Sequence, residues 1–400
     1  MTWFSREQAR RFLFSRIGSV LIFALLIGVG VVFLLQMLRN AARESGYDFT
    51  AYLHAATVFL QGGNPYQLGA KFPFIYPLFT CILIVPFQAV PYWLANLCWF
   101  GINVTSLGLS AFFLLKIIAR ALSVRQCLGL ALVPILLTIN LTQSNLVNGQ
   151  INFFVMLLCV LFLHALLSER KVLAAALLAA AIAIKLTPLV FLVFLVLRKE
   201  FRVLAWTVGF TCLFTLLLPF LFVGSRVFAL YDGYLHSFLV ARLSDGSTPA
   251  ELGFNLGAFL RLVFPDLNGA VMFVLTAAVT LGPVSLLQFM LGEKQRTPSR
   301  TLLFFVLYMT SILVISPMSE THHLAFLLLP SLVMSSLAWL GAGADARVGT
   351  VGLLLFLCGI VLGRISFPGY ALAILVSYAF VCVELVRNRA QSSQANFPAP

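Results

Sequence analysis

From Ile17 onward the chain is a series of apolar runs broken by short polar or basic stretches, a pattern that no soluble fold can bury. The first run, Ile17 to Leu38, follows Arg6, Arg10, Arg11 and Arg16 and has no small-residue cleavage site, so it reads as a retained first helix rather than a signal peptide. At 1.5 Å per residue it reaches roughly 33 Å, enough for a hydrocarbon core of ~30 Å. Further runs occupy 92–115, 127–141, 151–167, 172–197, 203–222, 269–291, 301–316, 324–340, 348–363 and 370–386. The expectation is an all-α integral membrane protein of about 12 transmembrane helices. Residues 1–390 form one membrane domain, and 391–400 form a disordered cytoplasmic tail.

Hydrophobic residues make up 61% of the chain and charged residues 10%, which excludes a water-soluble domain. The net charge of +13 does not point to nucleic acid, because the basic residues sit in small clusters between apolar runs, where they set topology. The seven cysteines lie in or beside apolar stretches without CxxC or Cys/His spacing and read as small core hydrophobes.

With the N-terminus inside, the clusters Lys116/Arg120/Arg125, Arg170/Lys171, Arg198/Lys199/Arg202, Lys294/Arg296/Arg300, Arg347 and Arg387/Arg389 all fall on the cytoplasmic side. Two segments must then be read in a particular way. Phe74 to Val90 carries Pro77 and Pro86 and is re-entrant or interfacial, since a crossing there would invert every later cluster. Val172 to Leu197 has basic residues at both ends and is a hairpin bent at Lys185-Leu-Thr-Pro188, with Lys185 at its tip. The outer face receives loops 39–91 and 223–268, a short loop from Asn140 to Gln150 and the turn Ser316 to His323.

Candidate chemistry gathers on that face. Asp48 precedes the apolar segment Phe49 to Leu60, where a carboxylate can cap an interfacial helix or serve as a general base near the bilayer, and the two roles are compatible. Glu320 stands with His322 and His323 in a turn between apolar runs, close to hydrocarbon, where titratable groups are costly and point to substrate. The same three residues lying in water beyond a helix end is the plainer alternative. Metal ligation ranks below substrate binding, because HExxH and Cys partners are absent. Lys185, a lone cation at a proline break, needs an anion or carbonyl partner unless it snorkels to the interface. Arg242 and Arg261 suit either bidentate phosphate contacts or a solvated rim. The amides between Asn140 and Asn152, Asn148 and Gln150 among them, suit sugar hydroxyls or helix caps.

Taken together, Tyr47-Asp48-Phe49 with Tyr52, Gly62-Gly-Asn-Pro-Tyr66, Tyr76-Pro77, Asn148-Gly-Gln150-Ile-Asn152, Lys185 ahead of Pro188, and Ser316-Pro317 through His322-His323 resemble glycosyltransferase family 87 in order and spacing. The chain departs from the family pattern at Met318-Ser-Glu-Thr, where an aromatic residue is expected before the His pair, and at Asn255-Leu256-Gly257. The resemblance implies a GT-C membrane fold and inverting transfer of a hexose, mannose first, from a polyprenyl phosphate to a lipid or glycan acceptor. It places the base on Asp48 and adds Tyr66 and Tyr76 to the substrate-binding set. The implied partners are membrane lipids, the donor and the acceptor, with no metal or other cofactor and no nucleic acid. The implied setting is a cell inner membrane, both termini cytoplasmic and the active site facing the periplasm. A membrane transporter or lipid-linked sugar flippase is the rival reading, since many helices with a few intramembrane ions fit that class too.

Overall fold

The computed structural model describes residues 15–67, 73–236, 266–292, 297–316, 320–365 and 369–394, with positions 256, 263 and 264. Among the described residues every regular element is helical. The long helices run back and forth between two ends. α1 (Arg16–Ala41) leads to one end, where α2 (Asp48–Leu60) and α3 (Leu78–Ile84, continued by a 3-10 turn at Val85–Ala89) lie. α4 (Tyr92–Ile118) returns, and α5 (Val124–Leu137) comes back and bends by 82° into α6 (Ile139–Val147). α7 (Asn152–Leu167), α8 (Lys171–Ile184) and α9 (Val190–Leu197) follow. α10 (Phe201–Cys212) passes through a π turn at Leu213–Leu217 into α11 (Leu218–Val223), and α12 (Arg226–Tyr234) comes next. The C-terminal part comprises α13 (Gly269–Gly292), α14 (Pro298–Ile315), a 3-10 turn at His323–Leu327, α15 (Leu328–Leu340), α16 (Gly343–Ile365) and α17 (Gly369–Gln394).

Contacts between connections sort the two ends. At one, Asn40 Nδ2 donates to the Val147 carbonyl (3.1 Å), Tyr92 to Ala41 (3.0 Å), Trp99 Nε1 to Gly149 (2.8 Å) and Thr80 to Ile184 (3.1 Å). At the other, Lys171 pairs with Glu200 (3.2 Å), Arg198 donates to Thr301 (2.7 Å) and Arg387 binds Asp345. The second end carries the basic clusters of the described residues that the charge pattern groups together, so it is called the basic end. The Lys171–Glu200 pair also joins the start of α8 to the residues just after α9, so the segment containing Lys185 leaves the basic end and returns to it as a hairpin.

The packing is that of a membrane bundle. α7, α14 and α15 form the interior: Phe153, Phe162, Phe305, Tyr308 and Phe326 are fully buried. α1 turns Ile17, Leu21, Phe23 and Leu35 outward, and α13 does the same with Val274, Phe289 and Met290. Continuous exposed apolar faces of this kind suit lipid and not water. α16 reaches its neighbours through glycine, since a Cβ on Gly359 would lie 2.4 Å from the Ala373 nitrogen and one on Gly349 2.4 Å from the Ala338 nitrogen.

Two expectations change. Among the described residues eight helices are long and apolar enough to cross a membrane, or nine with the bent α5–α6 pair, and not about 12. The reason is length: α7, α8 and the α9 segment are apolar but only 10–17 residues long, and the bend at Thr138 divides another run. Residues 139–147 are helix α6 rather than loop. α17 runs to Gln394. By the same length argument, Leu78–Ala89 reaches roughly 18 Å and is too short to span, as the charge pattern requires.

Candidate active site

The polar residues of interest collect where helices stop at the end opposite the basic clusters. Tyr47 is extended and supplies the N-cap position of α2, its backbone N–H donating to Thr50 Oγ1 (3.3 Å). Asp48 is therefore the first helical residue, and its carboxylate is not the cap. The start of α2 is held from α4: the Tyr47 hydroxyl binds Asn96 and Met37, and Phe49 stacks on Trp99 at 4.8 Å. Trp99 also donates to the carbonyl of Gly149, whose φ of +65° makes the tight turn between α6 and α7. A Cβ there would meet the Tyr47 ring at 2.5 Å, so glycine lets this turn sit directly against the start of α2.

That turn delivers Gln150, which is buried beside half-buried Asp48. Tyr52 donates to Tyr76 (3.0 Å) and Tyr76 to Gln150 Oε1 (3.3 Å), so the amide oxygen is taken and its N–H₂ is left for the Asp48 carboxylate. Burial pushes the Asp48 carboxyl up to about 6, with the nearby Glu320 adding to the rise, while the Gln150 bond and Lys185 oppose it. Tyr66 stands behind this row: its hydroxyl donates to the Tyr76 backbone carbonyl (3.0 Å) and its ring packs on Tyr234 at 5.0 Å.

Lys185 follows the last residue of α8 in an extended conformation (φ −147°, ψ 129°), enforced by Pro188 two residues beyond Leu186. It is buried, donates to Asn152 Oδ1 (2.7 Å), lies 5.9 Å from the centre of the Tyr76 ring, and interacts electrostatically with Asp48 and Glu320. One of its three donors is used by Asn152, leaving others for a ligand. Asn152 in turn donates to the His322 carbonyl (3.3 Å), as does Asn145 (3.2 Å). Within the last turn, Glu320 N–H donates to His323 Nδ1 (3.0 Å), and His322 Nδ1 lies 3.6 Å from Glu320 Oε2. Burial, with Lys185 nearby, holds the His322 imidazole well below its ordinary value, so it meets a ligand as a neutral donor or acceptor.

The structure thus brings together Asp48, Tyr76, Gln150, Lys185, Glu320, His322 and His323, which are dispersed in sequence. Asn148 lies on the same turn as the C-cap of α6, and among the described residues its side chain takes no part in the network. Arg242 and Arg261 lie outside the described residues. Sequence reasoning placed Asn145 and Asn152 only within the amide run suited to sugar hydroxyls or helix caps, Asn152 also closing one of the family's motifs, whereas the structure has Asn145 and Asn152 bracing the histidine turn and Asn152 accepting from the lysine. The signal was an asparagine opening the otherwise apolar helix α7. Among the described residues, no group of three or more His, Cys, Asp or Glu side chains is placed to hold a metal ion.

Chemically the arrangement offers one carboxylate of raised basicity, one buried ammonium and several neutral hydrogen-bonding groups at one end of a helical membrane protein. Such a set can serve either a transferase or a transporter, and the comparison with known families decides between them. The chain belongs to glycosyltransferase family 87, whose model matches residues 74–317. The match includes Tyr76, Asn148, Gln150 and Lys185, while Asp48, Tyr66, Glu320, His322 and His323 flank it. No curated protein matches the chain. Family membership makes it a glycosyltransferase and sets the transporter reading aside.

Proposed function

We propose that the protein is an inverting hexosyltransferase of GT-C type that moves a sugar, mannose in the first instance, from a polyprenyl phosphate to a lipid or glycan acceptor. The site faces the periplasm and the basic end faces the cytoplasm of a cell inner membrane, in keeping with the segregation of charge between the two ends. The observation that carries the reading is the gathering of a half-buried carboxylate, Asp48, and a buried lysine, Lys185, within electrostatic reach of each other beside the Gln150–Tyr76 row.

A single displacement needs one base and a stabilised leaving group. Asp48 removes the proton of the acceptor hydroxyl as its oxygen attacks the anomeric carbon. The bond to the phosphate oxygen breaks on the opposite face, and the configuration inverts. Lys185 takes up the negative charge of the departing polyprenyl phosphate, helped by His322 or His323, and Arg242 and Arg261 are further candidates from the sequence for the phosphate. Tyr76 and Gln150, with Asn148 on the adjoining turn, are the side chains that would pair with sugar hydroxyls. No metal or other cofactor enters this scheme.

The test uses purified protein in detergent with radiolabelled polyprenyl-phosphate mannose and an extract of membrane lipids and glycans. Transfer of label by the wild type and its loss in Asp48→Asn, with an unchanged melting curve, is the expected result. Transfer from a nucleotide sugar instead, or equal transfer by both proteins, overturns it.

A further inference from the structure

A second concave site lies at the basic end, remote from Asp48. It is a cavity of about 460 Å³ between the end of α4, the end of α7 and the start of α14. Lys116 and Arg120 supply its positive charge, His164 and Ser168 face them, Phe112 and Phe113 form the apolar wall, and Pro298 closes the side. Lys116 is fixed in place by donating to the carbonyls of Arg120 (3.3 Å) and Leu122 and lies 5.8 Å from the centre of the Phe112 ring. His164 packs edge-on against Phe113 at 5.2 Å.

Lys116 and Arg120 differ from an exposed cation of the same end such as Arg347 in converging on one recess. At the same end Lys171 is held by Glu200, Arg387 by Asp345 and Glu384, and Arg198 by Thr301. Among the described residues, no carboxylate pairs with Lys116, Arg120 or His164. The cavity also opens onto an apolar track. Gly101, Val104, Thr105, Gly108 and Leu109 form an exposed stripe along α4 that leads to Phe112, and a Cβ on Gly101 or Gly108 would find nothing within 4 Å. Cations in a recess at the head of a shallow apolar track match an amphiphile with a phosphate at one end.

We propose that this cavity binds the headgroup phosphate of an anionic phospholipid in the leaflet at the basic end, with the acyl chains lying along the α4 stripe. The phosphate meets Arg120 and the free donor of Lys116, Ser168 donates its hydroxyl, and the aromatic pair covers the glycerol region. The inference needs the membrane fold and not the transfer reaction, so it stands or falls separately from the proposed activity.

Delipidated full-length protein is examined by native mass spectrometry with phosphatidylglycerol, phosphatidylcholine or inorganic phosphate at equal concentration. Phosphatidylglycerol should be retained about tenfold better than phosphatidylcholine, and inorganic phosphate should neither bind nor displace it at that concentration. Arg120→Gln should weaken retention about fivefold, and Ser168→Asp, which puts a carboxylate at the mouth, by at least as much. Arg347→Gln, an exposed cation of the same end outside the cavity, should leave retention unchanged. Melting curves confirm that each variant is folded. Equal retention of the two lipids, equal loss in Arg347→Gln and Arg120→Gln, or displacement by inorganic phosphate alone would each overturn the assignment.

Discussion

If Asp48 is the base, the acidic limb of the rate profile belongs to its carboxyl, and the structure sets where that limb falls. An unperturbed aspartate would be more than about 90% ionised at pH 5 and would give a nearly flat profile from there upward. With the carboxyl pushed up to about 6 by burial, roughly one tenth is ionised at pH 5 and about nine tenths at pH 7. Below about 6, kcat/KM should therefore fall as pH falls, close to tenfold per unit. The neighbours give the limb a signed response. Glu320 raises the Asp48 value, so Glu320→Gln should move the limb to lower pH. Gln150 lowers it, so Gln150→Leu should move the limb to higher pH. Initial rates with a short-chain polyprenyl-phosphate mannose and a soluble octyl glycoside acceptor, both below saturation, measure all three profiles. Asp48→Asn supplies the baseline and should lie lower by about 10²–10⁴ across the range. A flat wild-type profile between pH 5 and 8, or shifts of the same sign in the two neighbour variants, would refute the assignment of the base.

Other changes separate binding from chemistry and from folding. Lys185→Gln should lower kcat/KM for the donor by about 10-fold or more, through kcat as well as donor KM, while leaving acceptor KM nearly unchanged, as steady-state rates against each substrate will show. Tyr76→Phe leaves Gln150 Oε1 only the longer contact from Tyr52 but keeps the ring beside Lys185, so activity should drop by about 10-fold or less, with a lower melting temperature from a loss of about 1–3 kcal/mol. Gly149→Ala has to tolerate φ +65° and move the Tyr47 ring, costing about 1–3 kcal/mol, seen as a lower melting temperature in detergent. Pro188→Ala removes the break that keeps Lys185 extended, so it should reproduce the donor defect of Lys185→Gln while the protein stays folded.

Much of the architecture was legible because hydrocarbon thickness and positive charge constrain a membrane chain strongly. The proline-bearing segment 74–90 and the lysine hairpin were both inferable from the order of basic clusters, before any geometry. What escaped was the difference between an apolar helix and a crossing helix. α7, α8 and α9 are as apolar as true spans, but their lengths are set by where Gly149, Glu169, Lys185 and Lys199 interrupt them, and Glu169 and Lys199 do so in a left-handed conformation that side-chain pattern does not announce. The site shows the same division. Asp48, Lys185 and the histidine turn stand out as ions in an apolar text, whereas Asn145 and Asn152 look like ordinary amides until their shared acceptor, the His322 carbonyl, is placed between them.

The position of the site follows from the same physics that builds the bundle. A helix in lipid satisfies its own backbone, so its middle offers little to a polar ligand and its side chains there must be apolar. At a helix end the backbone is open, water is within reach, and a polar side chain can be held without crossing hydrocarbon. Asp48 and Asn152 each open a helix, Lys185 follows one, and His322 precedes the 3-10 turn that starts another. Each is fixed by a bond to a different helix end rather than by its own helix. The geometry of the candidate site is therefore a property of how the ends are stacked, which is why Trp99 and Gly149, with no ionisable group between them, matter as much to the placing of Asp48 as its charged neighbours do. On the proposed reaction, an acceptor hydroxyl would reach this layer from water and a prenyl chain from lipid, and the level at which the helices stop is the one open to both media.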